Sequence, residues 1–425
     1  MAGAFLMEIR RGTQSALLVI RAAAELPSAP VEVSVCADSL EVRSGGSCDA
    51  AALPAGVRLA PSSCRGLRRL RGDGLHLRVR LRGAPPAAGE GGAGEGDLGP
   101  GIWDLGPGTW DLGSWAVCVV GVAVKYVVFT LRESLKPNKN YVFYCQSCGD
   151  IAVKDRKFLR VLPLPSENWS DLVEEWCCHP DPFARSTLHP QHGDCFVGDT
   201  FFLLNSGNES HVPESPMCCS EAGHHVSQSG SNLKSKENTR VICKRCKAVL
   251  GEAVSSDTIK YYVTEVIIQP TEGSFSPTPR SQFVQSIVAQ CLLELSSAKS
   301  TFRFTIKGDN GKTYILIWLL NSDTLLVESL GSSSSHSDFT LFGDILTSSS
   351  GPVGTWNAVK VLYQPCIQCR NKELADAWEN DMGVHPLKFP SETCLELLLI
   401  LGLSTTSLPP SLRCMNSFQV AFLKM

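Results

Sequence analysis

Apolar positions in this chain recur at two spacings, and the alternation between them divides it into regions. From residue 5 to 82, short β-branched runs (ALLVI, VEVSV, SLEVRS) are punctuated by Gly, Pro and Ser. The run LHLRVRL has period-two alternation. It puts Leu75, Leu77, Val79 and Leu81 on one strand face and His76, Arg78 and Arg80 on the other, wet face. Residues 1–82 are therefore predicted as an N-terminal β-rich domain. A second region, residues 141–268, carries strand-like YVFYC, DIAVKDRKFLRVLPL, CFVGDTFFLL and RVICKRCKAVLGE, and a single strand KYYVTEVIIQ. A helix SENWSDLVEEW capped by Ser166 and a polar loop from 206 to 239 interrupt it. In the third region, residues 269–425, proline-spaced PTEGSFSPTPR leads into SQFVQSIVAQCLLEL. The spacing of Phe283, Ile287, Cys291 or Leu292, and Leu295 predicts a helix there. TFRFTIKGDNGKTYILIWLL reads as a hairpin turning at GDNG, followed by LLVESL as a third strand, AVKVLYQP as another and NKELADAWEND as a short helix.

Residues 83–140 break the pattern. Their first part is Gly- and Pro-rich with a near-tandem WDLGPG/WDLGSW unit, too poor in branched apolar residues to bury a core. A low-complexity linker or insert is expected, of the kind that a faulty gene model or a retained intron also produces. The apolar run from Ala116 to Phe129 contains Lys125 and falls short of the roughly 20 residues a membrane-spanning helix needs, so no membrane partner is expected.

Composition narrows the classes. With 425 residues, 43% of them hydrophobic, the chain can bury two or three cores. A net charge of -3 argues against a nucleic-acid partner held by electrostatics. The arginines Arg65, Arg68, Arg69 and Arg71 read as a solvated face or as a local patch for an acidic partner. The N-terminus MAGAFLMEIRRG has no continuous apolar run of the secretory kind. Eighteen cysteines in such a chain point to a reducing compartment, the cytoplasm or nucleus, where clustered cysteines mean metal or catalysis more often than disulfides.

Two C-x-x-C knuckles stand out, Cys145 with Cys148 and Cys243 with Cys246. Each loop lets two thiolates face one tetrahedral ion, and two loops complete a closed structural zinc site, which would fasten the ends of the middle region together. The alternative is two unrelated cysteine pairs. The expected fold class is thus α+β, mainly antiparallel β: an N-terminal β domain, a zinc-fastened middle domain and a C-terminal α/β region. Cys366 and Cys369 form a third pair with no partner pair nearby. The cluster WCCHPDPFARSTLHPQHGDC holds Cys177, Cys178, His179, Asp181, His189, His192 and Cys195, stiffened by Pro180, Pro182 and Pro190. Its ligands follow no internal zinc spacing. A stiff loop of thiols and imidazoles suits insertion into another protein's metal site, or it packs as a loop of buried cysteines.

In the tail, Thr393, Cys394, Leu395 and Glu396 read as a capping box before an apolar run, which puts Cys394 in the first turn of a helix. Free N–H groups and the macrodipole favour a thiolate there, whereas the Glu396 carboxylate opposes it. Cys394 is either a nucleophile or a buried structural thiol; Cys414, in the strand-like LRCMNSFQVAF, is the weaker tail candidate.

Pro390, Thr393, Cys394, the leucines after them, Pro409, Pro410 and Phe422, fourth from the end, resemble the catalytic tail of HECT ubiquitin ligases. With FYCQSCG, VICKRCK and LPLPSENW followed by CCHPDPF, residues 1–80 and 141–425 resemble the small family of HECT-like ubiquitin-protein ligases that bind the mitotic ubiquitin-conjugating enzyme. The resemblance implies that Cys394 carries ubiquitin as a thioester and that cyclin B-type proteins are substrates. It further implies that residues Gln269 to Cys291 dock the conjugating enzyme. The CCHPDPF loop, with Trp176, His179 and Pro180 beside Cys178, would plug the zinc site of the mRNA 3′-end-processing endonuclease. That last role offers a separate function, a non-catalytic binding protein that inhibits or chaperones the endonuclease.

Overall fold

The computed structural model describes residues 5–20, 31–44, 47–54, 56–70, 72–82, 135–164, 189–206, 239–273, 275–329, 353–367 and 371–425. The chain divides into two units, one of residues 1–127 with 328–332, the other of 128–327 with 333–425. Outside the described residues lie 83–134 of the expected linker, the Ser166 helix, the cluster from Trp176 to Pro182, most of the polar loop after 206, and Cys369.

The first unit is all β among the described residues. Its strands are β1 (Phe5–Arg10), β2 (Ser15–Ile20), β3 (Val31–Val35), β4 (Ser39–Ser44), β5 (Ser47–Ala52), β6 (Leu59–Leu70) and β7 (Gly74–Leu81). An antiparallel sheet runs β1-β2-β7-β6, and β3-β4-β5 form a separate antiparallel meander. Leu77 and Val79 are buried as their alternation predicts. His76 departs from it. Its ring is buried, with Nε2 3.2 Å from the Asp73 carboxylate, because the turn before β7 brings Asp73 underneath a position that alternation alone assigns to solvent.

The second unit holds three groups of strands. β8 (Lys139–Cys145) and β9 (Ile151–Phe158) pair with β16 (Val266–Pro270) in the order β16-β8-β9. β10 (Arg160–Pro163), β11 (Asp194–Val197), β12 (Phe201–Asn205), β13 (Thr239–Ile242), β14 (Val249–Ala253) and β15 (Thr258–Tyr262) form a sheet ordered β10-β11-β12-β15-β14-β13. Only its β10–β11 pair is parallel. Last come β17 (Arg303–Gly308), β18 (Thr313–Ser329), β19 (Val353–Pro365), β20 (Val384–Phe389), β21 (Cys414–Met415) and β22 (Phe418–Lys424), ordered β21-β22-β19-β18-β17-β20. The helices are α1 (Arg280–Lys299), α2 (Lys372–Glu379) and α3 (Ser391–Ser407). The outcome is the mainly antiparallel α+β class expected from the sequence.

Two strand assignments are corrected. KYYVTEVIIQ is not one strand: Glu265 turns back onto the carbonyl of Tyr262 at 3.0 Å, and β15 and β16 enter different sheets. LLVESL is not a third strand, because β18 runs unbroken from the GDNG hairpin to Ser329. Both errors arise because apolar alternation is identical on either side of a short turn and within a long strand.

Helix α1 buries Val284, Ile287, Val288, Cys291, Leu292 and Leu295, and α3 buries Cys394, Leu397, Ile400 and Leu401. Both contribute to one core with Ile306, Ile317 and Val361 of the neighbouring strands and with Phe143, Phe202 and Tyr261 of the middle region. Among the described residues no helix is long and apolar enough to cross a membrane.

Gly251 shows how tightly β14 and β15 are drawn together, since a Cβ there would lie 1.9 Å from the carbonyl oxygen of Lys260. Gly251→Ala is expected to cost about 3 kcal/mol, because a backbone carbonyl cannot swing aside as a side chain can. Chemical denaturation should show the midpoint falling; an unchanged midpoint would mean that the two strands separate freely.

Candidate functional site

The two knuckles are built alike. In the first, between β8 and β9, the Cys145 N–H donates to Asp150 O (2.7 Å) and the Gly149 N–H to Cys145 O (2.8 Å). In the second, between β13 and β14, Cys243 donates to Ala248 O (2.8 Å) and Lys247 to Cys243 O (3.0 Å). Each closes through a left-handed residue, Gly149 at φ 72° and Lys247 at φ 64°. At Gly149 a Cβ would also meet the Phe275 ring at 2.8 Å, so both φ and space demand glycine. The turns direct four sulfurs to one point. Cys145 lies 3.6 Å from Cys246, Cys148 3.6 Å from Cys243, and all four Sγ atoms are within 4.8 Å of one another. Four sulfurs at about 2.3 Å from a tetrahedral zinc stand about 3.8 Å apart, so the cluster has the size of such a site. Burial pushes the Cys145 and Cys148 thiols up.

Beside the first knuckle sits Arg280, the first residue of α1. Its guanidinium donates to Glu265 Oε1 (2.9 Å), Glu396 Oε2 (2.9 Å), Thr393 Oγ1 (3.0 Å), the Thr264 carbonyl (2.5 Å) and Gln146 Oε1 (3.4 Å). Glu265 Oε1 also accepts from the hydroxyls of Thr393 and Thr264, both at 2.8 Å. Burial works against the guanidinium's charge, but Glu265 and then Glu396 outweigh it and raise its pKa. A cleft of about 640 Å³ opens here, bordered by Ser147 and Gly149, by Phe275 and Pro277, and by Glu392 and Glu396 of α3.

The capping box is corrected. α3 begins at Ser391 after Pro390, so Thr393 stands inside the first turn and its hydroxyl serves Glu265, while Glu396 turns outward to Arg280. A distant arginine and glutamate outcompete the local reciprocal bonds because charge-assisted partners are stronger. Cys394 is 0% exposed. Its Sγ lies 3.5 Å from the carbonyl of Lys307 and 3.9 Å from that of Phe389, and its own N–H is taken by Pro390 O at 3.0 Å. Burial, with the Asp309 charge adding, pushes its thiol up to about 12. In this conformation Cys394 is a protonated core thiol that donates to carbonyls.

A family model described as HECT-like ubiquitin-conjugating enzyme (E2)-binding matches residues 8–420. The chain belongs to this HECT-like E2-binding family. It is 50% identical to an E3 ubiquitin-protein ligase of Bos taurus over 99% of this chain and 97% of that one. To the Homo sapiens ligase of the same name it is 49% identical over 99% and 97%. An uncharacterized protein of Saccharomyces cerevisiae is 21% identical over 45% of this chain and 50% of its own. No solved structure matches.

In this HECT-like E2-binding chain the remaining sequence candidates are scattered. Trp176, Cys178, His179 and Pro180 lie outside the described residues. Of the rest of that cluster, Cys195 is fully buried in β11, the His192 carbonyl accepts from Arg156, and His189 sits 3.4 Å from Thr258 Oγ1. Cys366 is half-buried, its thiol pushed up to about 11 by burial and by Glu379. Cys414 is exposed on β21, and Phe422 is a buried strand residue under Lys360. Sequence reasoning missed Arg280, whose only signal was a lone arginine ending a proline-rich linker.

The raised thiol gives a signed pH effect. Cys394 favours the fold fully while neutral, and that contribution is lost as pH climbs from the ordinary 9.0 toward about 12, where an unfolded chain ionises first. At pH 7.5 iodoacetamide should modify exposed Cys36, Cys64 and Cys414 quickly and Cys394 only on opening. Rapid native-state modification of Cys394, read by peptide mass spectrometry, would contradict its burial.

Proposed function

We propose that this chain is a ubiquitin-protein ligase that docks a ubiquitin-conjugating enzyme, of the mitotic class, at the cleft between the first knuckle, the proline segment and the start of α3. The observation that supports it most is that Phe275 and Pro277, in the segment that resembles the docking region, border this cleft together with Glu392 and Glu396 next to Cys394. The remainder of that segment, α1, is committed to the core. Docking therefore falls to residues before Arg280.

Cys145, Cys148, Cys243 and Cys246 would hold a structural zinc. Its charge would keep Cys145 and Cys148, whose thiols burial pushes up, as thiolates, and it would fasten β8–β9 to β13–β14. With all four positions taken by protein ligands, the site leaves none for substrate, so the metal's task is structural.

Ubiquitin would pass from the docked enzyme to Cys394 as a thioester, the thiol giving up its proton and the conjugating enzyme's cysteine leaving, and then to a substrate lysine. Cyclin B-type proteins are the substrates that the family resemblance suggests. The buried Sγ sets the condition for this route: it must leave the carbonyls of Lys307 and Phe389, so the first turn of α3 has to open on docking. The endonuclease reading rests on the motif around Cys178 alone, and the described geometry adds nothing to it.

Two measurements test these statements. Metal analysis of the purified chain should find about one equivalent of zinc, lost in Cys145→Ser with Cys243→Ser; a metal-free, fully folded chain would sink the site. In single turnover with charged conjugating enzyme, a thiol-sensitive ubiquitin adduct is expected, absent in Cys394→Ala with its folding checked by thermal melting. Transfer that persists in Cys394→Ala without such an adduct would assign direct passage from the conjugating enzyme and leave Cys394 as a core thiol.

A further inference from the structure

Three described elements meet at Arg280: the first knuckle, the Thr264–Glu265 turn and the first turns of α3. On the knuckle side, Gln146 follows Cys145 in the chain. Its N–H donates to Glu265 O (3.0 Å), its Nε2 to Thr278 O (3.0 Å), and its Oε1 faces Arg280. On the α3 side, Thr393 and Glu396 flank Cys394 within one turn, and both hydrogen-bond the guanidinium. Glu265 is itself buried, and its Oε1 accepts from Arg280, Thr393 and Thr264 together. A run of hydrogen bonds therefore leads from Gln146, the residue after Cys145 of the cluster, to Thr393 just before Cys394 and to Glu396 two positions after it.

We propose that Arg280 is a positioning residue that clamps the start of α3 shut over Cys394 and ties that clamp to the four-cysteine knuckles, so that disturbing the knuckles exposes Cys394. The physical basis is the fork of the guanidinium. One planar group satisfies two carboxylates, a hydroxyl and a carbonyl at once, which an ammonium at the same place cannot reproduce. If the knuckle shifts, Gln146 carries the Glu265 turn with it, and Glu265 and Arg280 can no longer both meet Thr393. What is released is a local unit, the first turn of α3, while Leu397, Ile400 and Leu401 hold the rest of the helix in the core. The clamp draws its use from the ligase reading above, where access to Cys394 governs transfer, but its existence does not depend on ubiquitin.

The experiment is native-state labelling of the full zinc-loaded chain with iodoacetamide, read cysteine by cysteine by mass spectrometry. Cys195 of β11 and Cys291 of α1, whose Sγ lies 3.4 Å from the Asp199 carbonyl, are buried in the same core and serve as internal reporters of global opening. In Arg280→Lys, Cys394 should label about tenfold faster or more, the size expected from losing charge-assisted hydrogen bonds, with Cys195 and Cys291 unchanged. A milder pair, Thr393→Val with Glu396→Gln, keeps the Arg280–Glu265 contact and should give the same selective exposure. Stripping metal with a chelator should speed Cys394 in the parent chain and add nothing in Arg280→Lys. Unchanged Cys394 labelling in both variants overturns the clamp. Acceleration of all three cysteines together overturns it too, since that marks loosening of the whole core. Equal effects of chelator in parent and Arg280→Lys overturn the link to the knuckles. Failure of the ubiquitin adduct to form leaves each of these outcomes as it is, so the two proposals fail separately.

Discussion

Convergence of four thiols from two knuckles is the constraint on which the second unit depends. Cys148 and Cys243 are 95 positions apart, and closing so long a loop costs about 4 kcal/mol of chain entropy. Thiol–thiol contacts at 3.6 Å return little of that, because S–H is a weak donor. The convergence is nonetheless shaped to within 4.8 Å by two turns with matching hydrogen bonds and matching left-handed residues. A closed metal site of the proposed kind would more than offset the loop entropy.

Arg280 links the first knuckle of this metal-sized cluster to the tail. A buried carboxylate such as Glu265 is costly unless it is paired and hydrogen-bonded, and here it receives a guanidinium and two hydroxyls. The same guanidinium reaches Glu396, so the burial cost of one acid is offset by a network whose other end lies beside Cys394. Removing one member of such a network costs more than the net worth of any single bond, since the others are left unpaired in a poorly solvated place. That makes the start of α3 sensitive to residues more than a hundred positions away in sequence.

Much of this is legible in the chain. Period-two runs mark the strands, the GDNG turn marks its hairpin, and C-x-x-C spacing names all four members of the cluster. Local grammar fails where a distant partner overrides it. Thr393 and Glu396 look like a capping box, but each binds a group from another element, and pattern alone cannot see a guanidinium arriving from residue 280. His76 sits on a wet face by alternation and is buried by a turn that supplies Asp73. The place of Cys394 in an early turn of a helix is readable from its neighbours. Its backbone N–H is nevertheless already taken, and the helix-end field that favours a thiolate is outweighed by burial.

The buried thiol frames the energetics of any chemistry at Cys394. Raising its pKa from 9.0 to about 12 means that ionising it in place costs about 4 kcal/mol more than ionising an exposed thiol. Opening the first turn of α3 would avoid that cost but must break the contacts of Thr393 and Glu396, each charge-assisted bond worth about 1.5–3 kcal/mol. The two routes are of similar magnitude. A docked partner need contribute only a few kcal/mol of differential binding at the cleft to make opening the easier one, and the cleft borders the residues that would have to move. On the proposed docking, a cysteine inert in the free chain would become reachable in a complex once the Arg280 contacts of Thr393 and Glu396 give way.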